Sequence, residues 1–272
     1  MGTIGRREFL AAGVCAGVGV AAGGQEGQAS GAGGLPSAVQ MQFMRPGQLE
    51  AAMRAFPAVY VPFGLIEWHG RHLPLGNDAI KAHAFLVRTA ERFGGVVYPP
   101  VYFHDGFNLE HLTPVLTDLF ERLKKTGFRV ILGVSGHNVK GQIDMIEKAL
   151  APVTADKTVA GMGMWEVTLS QEPESNTDHA AKWETSNMQY FYPELVDLAA
   201  LGEGSLAPDM KAPDGIGGQD PRKFASAEIG RRNAELASAA IGKKAKELLE
   251  MLAPENRAAR IKTISPENWW MI

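Results

Sequence analysis

Four side chains that can bind a metal ion or transfer a proton lie within twelve residues of one another, directly after an apolar segment that ends at Ile66. They are Glu67, His69, His72 and Asp78. Glu67 and His69 are two positions apart, so on an extended strand their side chains point to the same face. Carboxylate and imidazole together suit a divalent ion such as zinc, manganese or iron. The stretch therefore predicts a metal site at the end of a buried strand.

The residues around this cluster resemble the signature of the creatininase family of metal-dependent amidohydrolases, Pro-x-Gly-x-x-Glu-x-His-Gly-x-His-Leu-Pro-Leu-x-x-Asp. Ten positions of that pattern coincide, and they are Pro62, Gly64, Glu67, His69, Gly70, His72, Leu73, Pro74, Leu75 and Asp78. In the family the Glu, the first His and the Asp bind a pair of divalent metals. The resemblance implies the same role for Glu67, His69 and Asp78.

Two later segments agree with the family in their order along the chain. Residues 130–138, Val-Ile-Leu-Gly-Val-Ser-Gly-His-Asn, look like the family's strand followed by Asn-Gly-His, which implies that His137 is a metal ligand. Residues 178–186, Asp-His-Ala-Ala-Lys-Trp-Glu-Thr-Ser, look like the family's His-Ala-Gly-Glu-x-Glu-Thr-Ser. They imply a metal role for Glu184 and a catalytic or substrate-facing role for His179.

The resemblance implies two divalent ions per chain (zinc, manganese or iron), with Asp78 as the ligand that bridges them. Glu67 and His137 would complete one position, and His69 and Glu184 the other. In such a site a hydroxide held between the ions attacks a carbonyl carbon. A nearby histidine, for which His179 is the candidate, then carries the proton to the leaving nitrogen.

Some positions depart from the family pattern. The family has a glutamate ligand at the position of Val139, which is why Glu184 is the candidate fifth ligand here. A Pro-Gly-Thr segment that normally follows the pair Glu110-His111 is missing, and that loop helps to shape the family's substrate pocket. Ser135 replaces an asparagine and Lys182 an acid. The resemblance therefore does not carry the identity of the substrate.

Each candidate also has an ordinary structural interpretation. Glu67 and His69 could form a salt bridge at a strand end, and His137 could cap the following helix. Glu184 could be an acid in the first turn of a helix, where the helix dipole favours negative charge. His179 could lie on the surface without a catalytic role.

Further side chains are predicted around the metal ligands. His72 is not expected to bind the metal itself, but to contact a ligand and orient Asp78 or its loop. Trp165, Trp183 and His111 are candidates for substrate binding, with core packing as the alternative for the two tryptophans and solvation for His111. Lys182 beside the site would favour an anionic substrate or developing negative charge, or point to solvent.

These residues need a framework of alternating strands and helices. Strands are predicted at 58–66, 96–98, 130–134 and 159–164, helices at 79–93, 113–126, 139–150, 183–192 and 225–252, and a polar and aromatic loop at 101–112. The alternation indicates an α/β protein with a three-layer α/β/α arrangement and a mostly parallel central sheet, creatininase-like by resemblance. In such sheets sites lie at the carboxyl ends of the strands, where Glu67, His69 and His137 occur.

Composition is consistent with one domain at residues 48–272, preceded by a linker or arm at 30–47. The net charge of −3 gives no indication of nucleic-acid binding. Residues 1–29 contain Arg6-Arg7 followed by Phe9-Leu10 and a mild apolar segment, which resembles a twin-arginine signal for export to the periplasm or beyond. The alternative is a flexible cytoplasmic tail. The single cysteine, Cys15, lies in this segment, so the mature chain would contain neither a disulfide nor a thiol nucleophile. No membrane contact is expected of the mature form.

The sequence thus predicts a metal-dependent hydrolase that uses a metal-bridging hydroxide to open a cyclic amide or a related C–N bond in a small molecule. One alternative is hydrolysis of a cyclic ketone, a keto-sugar or a lactone on the same metal site. Another is a binding protein that has lost activity. The resemblance further implies a homo-oligomer such as a hexamer.

Overall fold

The computed structural model describes residues 38–167, 178–261 and 264–269, and in these ranges five parallel strands form one sheet. The strands are β1 (Ala58–Ile66), β2 (Val96–Val97), β3 (Val101–His104), β4 (Val130–Ser135) and β5 (Ala160–Trp165). Their order is β2-β1-β4-β5, and β3 also pairs with β1. The proposed export signal at 1–29 lies outside the described residues.

Helices connect the parallel strands, as parallel pairing requires a crossover between successive strands. The described helices are α1 (Pro46–Ala55), α2 (Asn77–Phe93), α3 (Leu109–Thr126), α4 (Lys140–Thr154), α5 (Lys182–Phe191), α6 (Pro221–Phe224), α7 (Ala227–Met251) and α8 (Pro266–Trp269). Of these, α2 follows β1, α3 precedes β4, and α4 joins β4 to β5. None of the helices in the described part of the chain combines the length and apolar character needed to cross a bilayer.

Two hydrophobic layers cover the two faces of the sheet. Val61 and Ile131 point to one face and pack with residues of α1, α3 and α4. Tyr60 and Leu132, their neighbours along the strands, point to the other face and pack with residues of α2 and α7. Side chains alternate between faces along a strand, so each buried strand contributes to both layers. The predicted three-layer α/β/α fold is confirmed.

The predicted loop at 101–112 is wrong at both of its ends. Its first part is β3, which pairs with the second half of β1 from Phe63↔Val101 to Ile66↔His104. Its last part is the start of α3, where the side chain of Asn108 accepts a hydrogen bond from Glu110 N. β3 has the sequence Val-Tyr-Phe-His and alternates between half-buried and exposed residues, so no continuous apolar run marks it as a strand.

Residues 38–44, within the predicted linker or arm, lie against the sheet. Gln40 forms a parallel bridge with Val97, and Val97 N donates to Val39 O over 2.9 Å. Met41 and Met44 pack against the hydrophobic layer that contains α1. This segment therefore pairs with β2 and covers its outer edge.

Candidate metal centre

The end of β1 and the start of α2 are folded onto each other. Glu67 and His69 follow the last strand residue, and Glu67 N donates to Leu75 O over 3.0 Å, which closes the connecting loop. Asp78 lies in the first turn of α2, and its Oδ2 accepts from Leu65 N over 3.3 Å. The loop therefore returns the Asp78 carboxylate to the strand end that carries Glu67 and His69.

Two glycines permit this close approach of helix and sheet. A Cβ on Gly64 would lie 2.2 Å from Ala79 N, and a Cβ on Gly136 would lie 2.0 Å from Asp78 O. Real Cβ atoms do not reach such distances, because the Cβ would overlap the backbone atoms of α2. Glycine at these positions on β1 and directly after β4 lets the N-terminus of α2 press on both strands.

The two carboxylate oxygens of Asp78 face two different histidines. Oδ1 lies 3.0 Å from His69 Nε2, and Oδ2 lies 3.3 Å from His137 Nδ1. His137 Nδ1 is also 2.8 Å from Glu67 Oε1, and His69 Nε2 is 3.6 Å from Glu184 Oε2. The fold therefore brings all five predicted ligands together.

These residues form two groups that share Asp78. Glu67, Asp78 and His137 are one, and His69, Asp78 and Glu184 are the other; in each, one ligand atom per residue lies within 4.8 Å of the rest. The donors are carboxylate oxygens and imidazole nitrogens, a set that suits zinc or manganese. His69 Nδ1 lies 3.3 Å from the backbone oxygen of Glu67, which can only accept, so Nε2 is the ring nitrogen that would bind an ion once its proton is displaced. The donor set and its two-sided arrangement fit a pair of divalent ions.

Glu184 is placed by a tight turn before α5. Ala180 has φ of 51°, a left-handed conformation, and its N–H donates to Glu184 Oε2 over 2.7 Å. Asp178 caps the helix by accepting hydrogen bonds from Ala181 N at 3.2 Å and Trp183 N at 3.0 Å. The interpretation of Glu184 as an ordinary first-turn acid describes its position, yet the side chain is buried and faces His69.

The carboxylates change the proton affinity of the two histidines. Burial would lower the pKa of His69, but Glu184, Asp78 and Glu67 raise that pKa to about 9. Burial likewise opposes protonation of His137, whereas hydrogen bonds to Asp78 and Glu67 raise its pKa to about 10. The same negative charges that attract these protons attract a metal ion, which must displace them to bind.

His179 lies beside the group of carboxylates and histidines. Its ring centroid is 4.6 Å from that of His69, and its Nε2 is 2.9 Å from the backbone oxygen of Trp68. Its backbone pairs with Gly217 through hydrogen bonds of 3.1 and 2.8 Å. Glu67, His69 and His179 also form a third group of mutually close ligand atoms. His179 is therefore placed where it could serve either in proton transfer or as a ligand.

His72 is buried, and its hydrogen bond differs from the one expected. Its Nε2 lies 2.9 Å from Thr185 Oγ1, so its partner is the neighbour of Glu184 and not Asp78. Burial lowers the pKa of His72 to about 4, which keeps the ring neutral. His72 thus supports the segment that carries Glu184.

The predicted substrate-binding residues occupy three different environments. Trp165 ends β5 and is half-buried beside Ser135, whereas Trp183 is buried, as its core-packing interpretation expects. His111 lies in the first turn of α3 with an exposed side chain. The Lys182 ammonium lies 4.2 Å from the centroid of the Trp183 ring, a cation–π contact.

Two charged residues at the centre, Lys81 and Glu166, were not among the predicted site residues. Both are fully buried, and they form an ion pair of 2.8 Å. Glu166 directly follows β5, so the rule that sites lie at strand ends could have identified it. Lys81 lies three residues after Asp78, a spacing that places both on one face of α2.

Known proteins are similar to this chain in sequence and in fold. The sequence matches the creatininase family (creatinine amidohydrolase) over residues 42–253. It is 26% identical over 186 residues to creatinine amidohydrolase of Pseudomonas putida, covering 56% of this chain and 71% of the relative. It is 30% identical over 169 residues to mycofactocin precursor peptide peptidase of Mycolicibacterium smegmatis, covering 56% of this chain and 65% of the relative.

Solved structures share the fold. A crystal structure of creatinine amidohydrolase (creatininase) superposes with a TM-score of 0.64 at 21% identity, covering 77% of this chain and 98% of that one. A creatininase variant described as the Zn-Zn type superposes with a TM-score of 0.63 at 22% identity, covering 77% of this chain and 97% of that one. At this identity the superposition establishes the fold.

Proposed function

Because the chain belongs to the creatininase family, we propose that it is a metal-dependent hydrolase that opens a cyclic amide or a related C–N bond. The observation that carries the proposal is the two-sided Asp78 carboxylate, which faces His69 with one oxygen and His137 with the other. The named relatives support the reaction class, since an amidohydrolase and a peptidase both hydrolyse C–N bonds.

Two divalent ions would be held by the five clustered residues. Glu67 and His137 would bind one ion, His69 and Glu184 the other, and Asp78 both. Such a pair, when bound, polarises a substrate carbonyl and makes water acidic enough to act as a nucleophile near neutral pH. Zinc and manganese suit the donor set, and similar structures described as Zn-Zn and Mn creatininase support the same choice.

The chain's own groups would handle the protons. The backbone oxygen of Trp68 can only accept a hydrogen bond, so the nitrogen of His179 that contacts it carries a proton. This leaves His179 Nδ1 as the basic nitrogen, available to take a proton and return it to a leaving nitrogen. His69 and Asp78 are buried, which keeps competing water from the ligand atoms.

The substrate of this proposal is a small molecule with a hydrolysable amide. The test is to measure metal content and then to offer creatinine, other lactams and short peptides to protein with and without prior treatment with a chelator. Turnover of one class that is lost with the chelator and restored by zinc or manganese is expected. Protein that contains metal but hydrolyses no amide, while opening lactones or keto-sugars, would favour the alternative chemistry.

Export through the twin-arginine segment and assembly into a homo-oligomer are proposed separately from the reaction. Replacing Arg6 and Arg7 with lysine should retain the protein in the cytoplasm, as measured by cell fractionation. Sedimentation of the mature protein should give a mass of two or more chains. Periplasmic protein in the double-lysine variant, or a monomer mass, would reject the respective proposal.

A further inference from the structure

A buried lysine stands within the candidate metal centre. The side chain of Lys81 in α2 has no solvent exposure, and lysine is almost never fully buried without a charged partner. Its Nζ lies 2.8 Å from Glu166 Oε1, 3.0 Å from Glu184 Oε1 and 3.6 Å from Asp78 Oδ1. It also donates to the backbone oxygen of Gly136. The ammonium is therefore surrounded by oxygens.

These contacts link α2 to three other segments of the centre. Asp78 is on α2, Glu184 is on α5, Gly136 directly precedes His137, and Glu166 follows β5. Glu184 is held through both oxygens, with Oε1 on Lys81 and Oε2 on Ala180 N at 2.7 Å. The second oxygen is thereby kept 3.6 Å from His69 Nε2.

The charges explain why a cation is needed here. Four carboxylates, those of Glu67, Asp78, Glu166 and Glu184, converge on this centre, and Lys81 contacts three of them. Oε2 of Glu166 has no hydrogen-bond partner among the described residues, so its charge depends on the ion pair with Lys81. Like charges at such distances repel strongly in a buried environment unless a cation compensates them.

We propose that Lys81 is a positioning residue that acts as a fixed cation of the metal centre, keeping the Asp78 and Glu184 carboxylates together in the absence of a divalent ion. The role rests on the proposed metal-dependent function. It also accounts for Glu184 at a centre where Val139 occupies the family's usual carboxylate position. Because a fixed positive charge and a divalent ion compensate the same carboxylates, each reduces the need for the other.

The test compares thermal unfolding of four proteins, each with and without saturating zinc or manganese after removal of metal with a chelator. They are the native protein, K81M, E166Q and the double variant K81M/E166Q. K81M removes the ammonium and leaves the carboxylates, and its metal-free Tm should fall by about 10 °C, as expected for one partner lost from a buried pair. Added metal should recover most of that loss, so that the metal-dependent rise in Tm is larger than in the native protein.

The other two variants separate charge from packing. K81M/E166Q removes one charge of each sign, and its metal-free Tm should return towards the native value. E166Q keeps the ammonium and removes one carboxylate, so its metal-dependent rise in Tm should be smaller than the native one. E166Q remains informative if K81M fails to fold.

Two results would overturn the inference. The first is an equal loss of Tm in K81M with and without metal, because a packing role alone predicts it. The second is a double variant no more stable without metal than K81M. If metal raises the Tm of none of the four proteins, the proposed metal-dependent function fails, and the metal-free comparison of K81M with K81M/E166Q still decides the role of the Lys81 charge.

Discussion

His179 donates a hydrogen bond from Nε2 to the backbone carbonyl of Trp68 over 2.9 Å. The contact fixes which ring nitrogen carries the proton and turns the ring so that it lies against His69, at 4.6 Å between centroids. Trp68 lies between Glu67 and His69 in sequence, so the loop that carries two candidate ligands also orients the candidate proton carrier.

Replacing His179 with glutamine should reduce kcat by about 10²–10⁴-fold while both metal ions are retained. The glutamine amide can still donate to Trp68 O, but it offers no basic nitrogen. Steady-state kinetics on the hydrolysed amide and metal analysis of the same preparation check the two parts. H104Q, at an exposed position at the end of β3, serves as the matched control and should keep native kinetics. Loss of an ion from H179Q would instead assign His179 to a ligand set with Glu67 and His69.

Removing the Asp78 carboxylate should lower the metal content more than removing His137 from the first group or His69 from the second. D78A should bind neither ion tightly and should be inactive, since Asp78 faces both groups. H137A should keep one ion, because His69, Asp78 and Glu184 remain. Metal analysis after equilibration against a dilute chelator measures the difference. Retention of one ion in D78A, or full activity, would show that Asp78 does not serve both positions.

The close approach of α2 to the sheet predicts an unusually large effect for one methyl group. G136A should destabilise the protein by about 1–3 kcal/mol and lower its metal content, because its Cβ would meet Asp78 O at 2.0 Å. Gly47 in α1 has no atom within 4 Å of such a Cβ, so G47A should be neutral or stabilising by up to about 1 kcal/mol. Urea unfolding of both variants tests the contrast. Equal stability of the two would mean that helix and sheet separate easily at this point.

His83 in α2 predicts a loss of stability in acid. Burial lowers the pKa of His83 to about 4, from an ordinary value of 6.5, and its Nε2 has no hydrogen-bond partner among the described residues. The unfolded chain therefore binds more protons at this group between about pH 4 and 6.5, so its contribution to stability is present above that window and is lost as pH falls.

Urea unfolding across that window should show a shallower rise of stability with pH in H83Q than in the native protein. Replacing the exposed His104 with glutamine should leave the slope unchanged. An identical slope in H83Q and the native protein would mean that His83 is protonated as readily when folded as when unfolded.

Prediction from the sequence was most reliable at β1, where one continuous apolar run defined the strand. The apolar run of β1 predicted the strand bounds, and the motif after it predicted Glu67, His69 and Asp78 of the five clustered residues. The segments at 130–138 and 178–186 predicted the other two, His137 and Glu184. For α2 the helix was predicted but the burial of Lys81 was not. A periodicity based on apolar residues cannot assign a charged residue to the buried face, since only its partners make that burial favourable.

The sequence by itself determined the fold class, the strand-end location of Glu67, His69 and His137, and the family to which the chain belongs. Only the tertiary structure decided that Lys81 and Glu166 join this centre, that His72 bonds to Thr185, and that Trp68 orients His179. The physical reason is distance along the chain. Strand and helix patterns arise from neighbouring residues, whereas charge compensation and hydrogen-bond direction depend on groups that meet only after the sheet and its helices have packed.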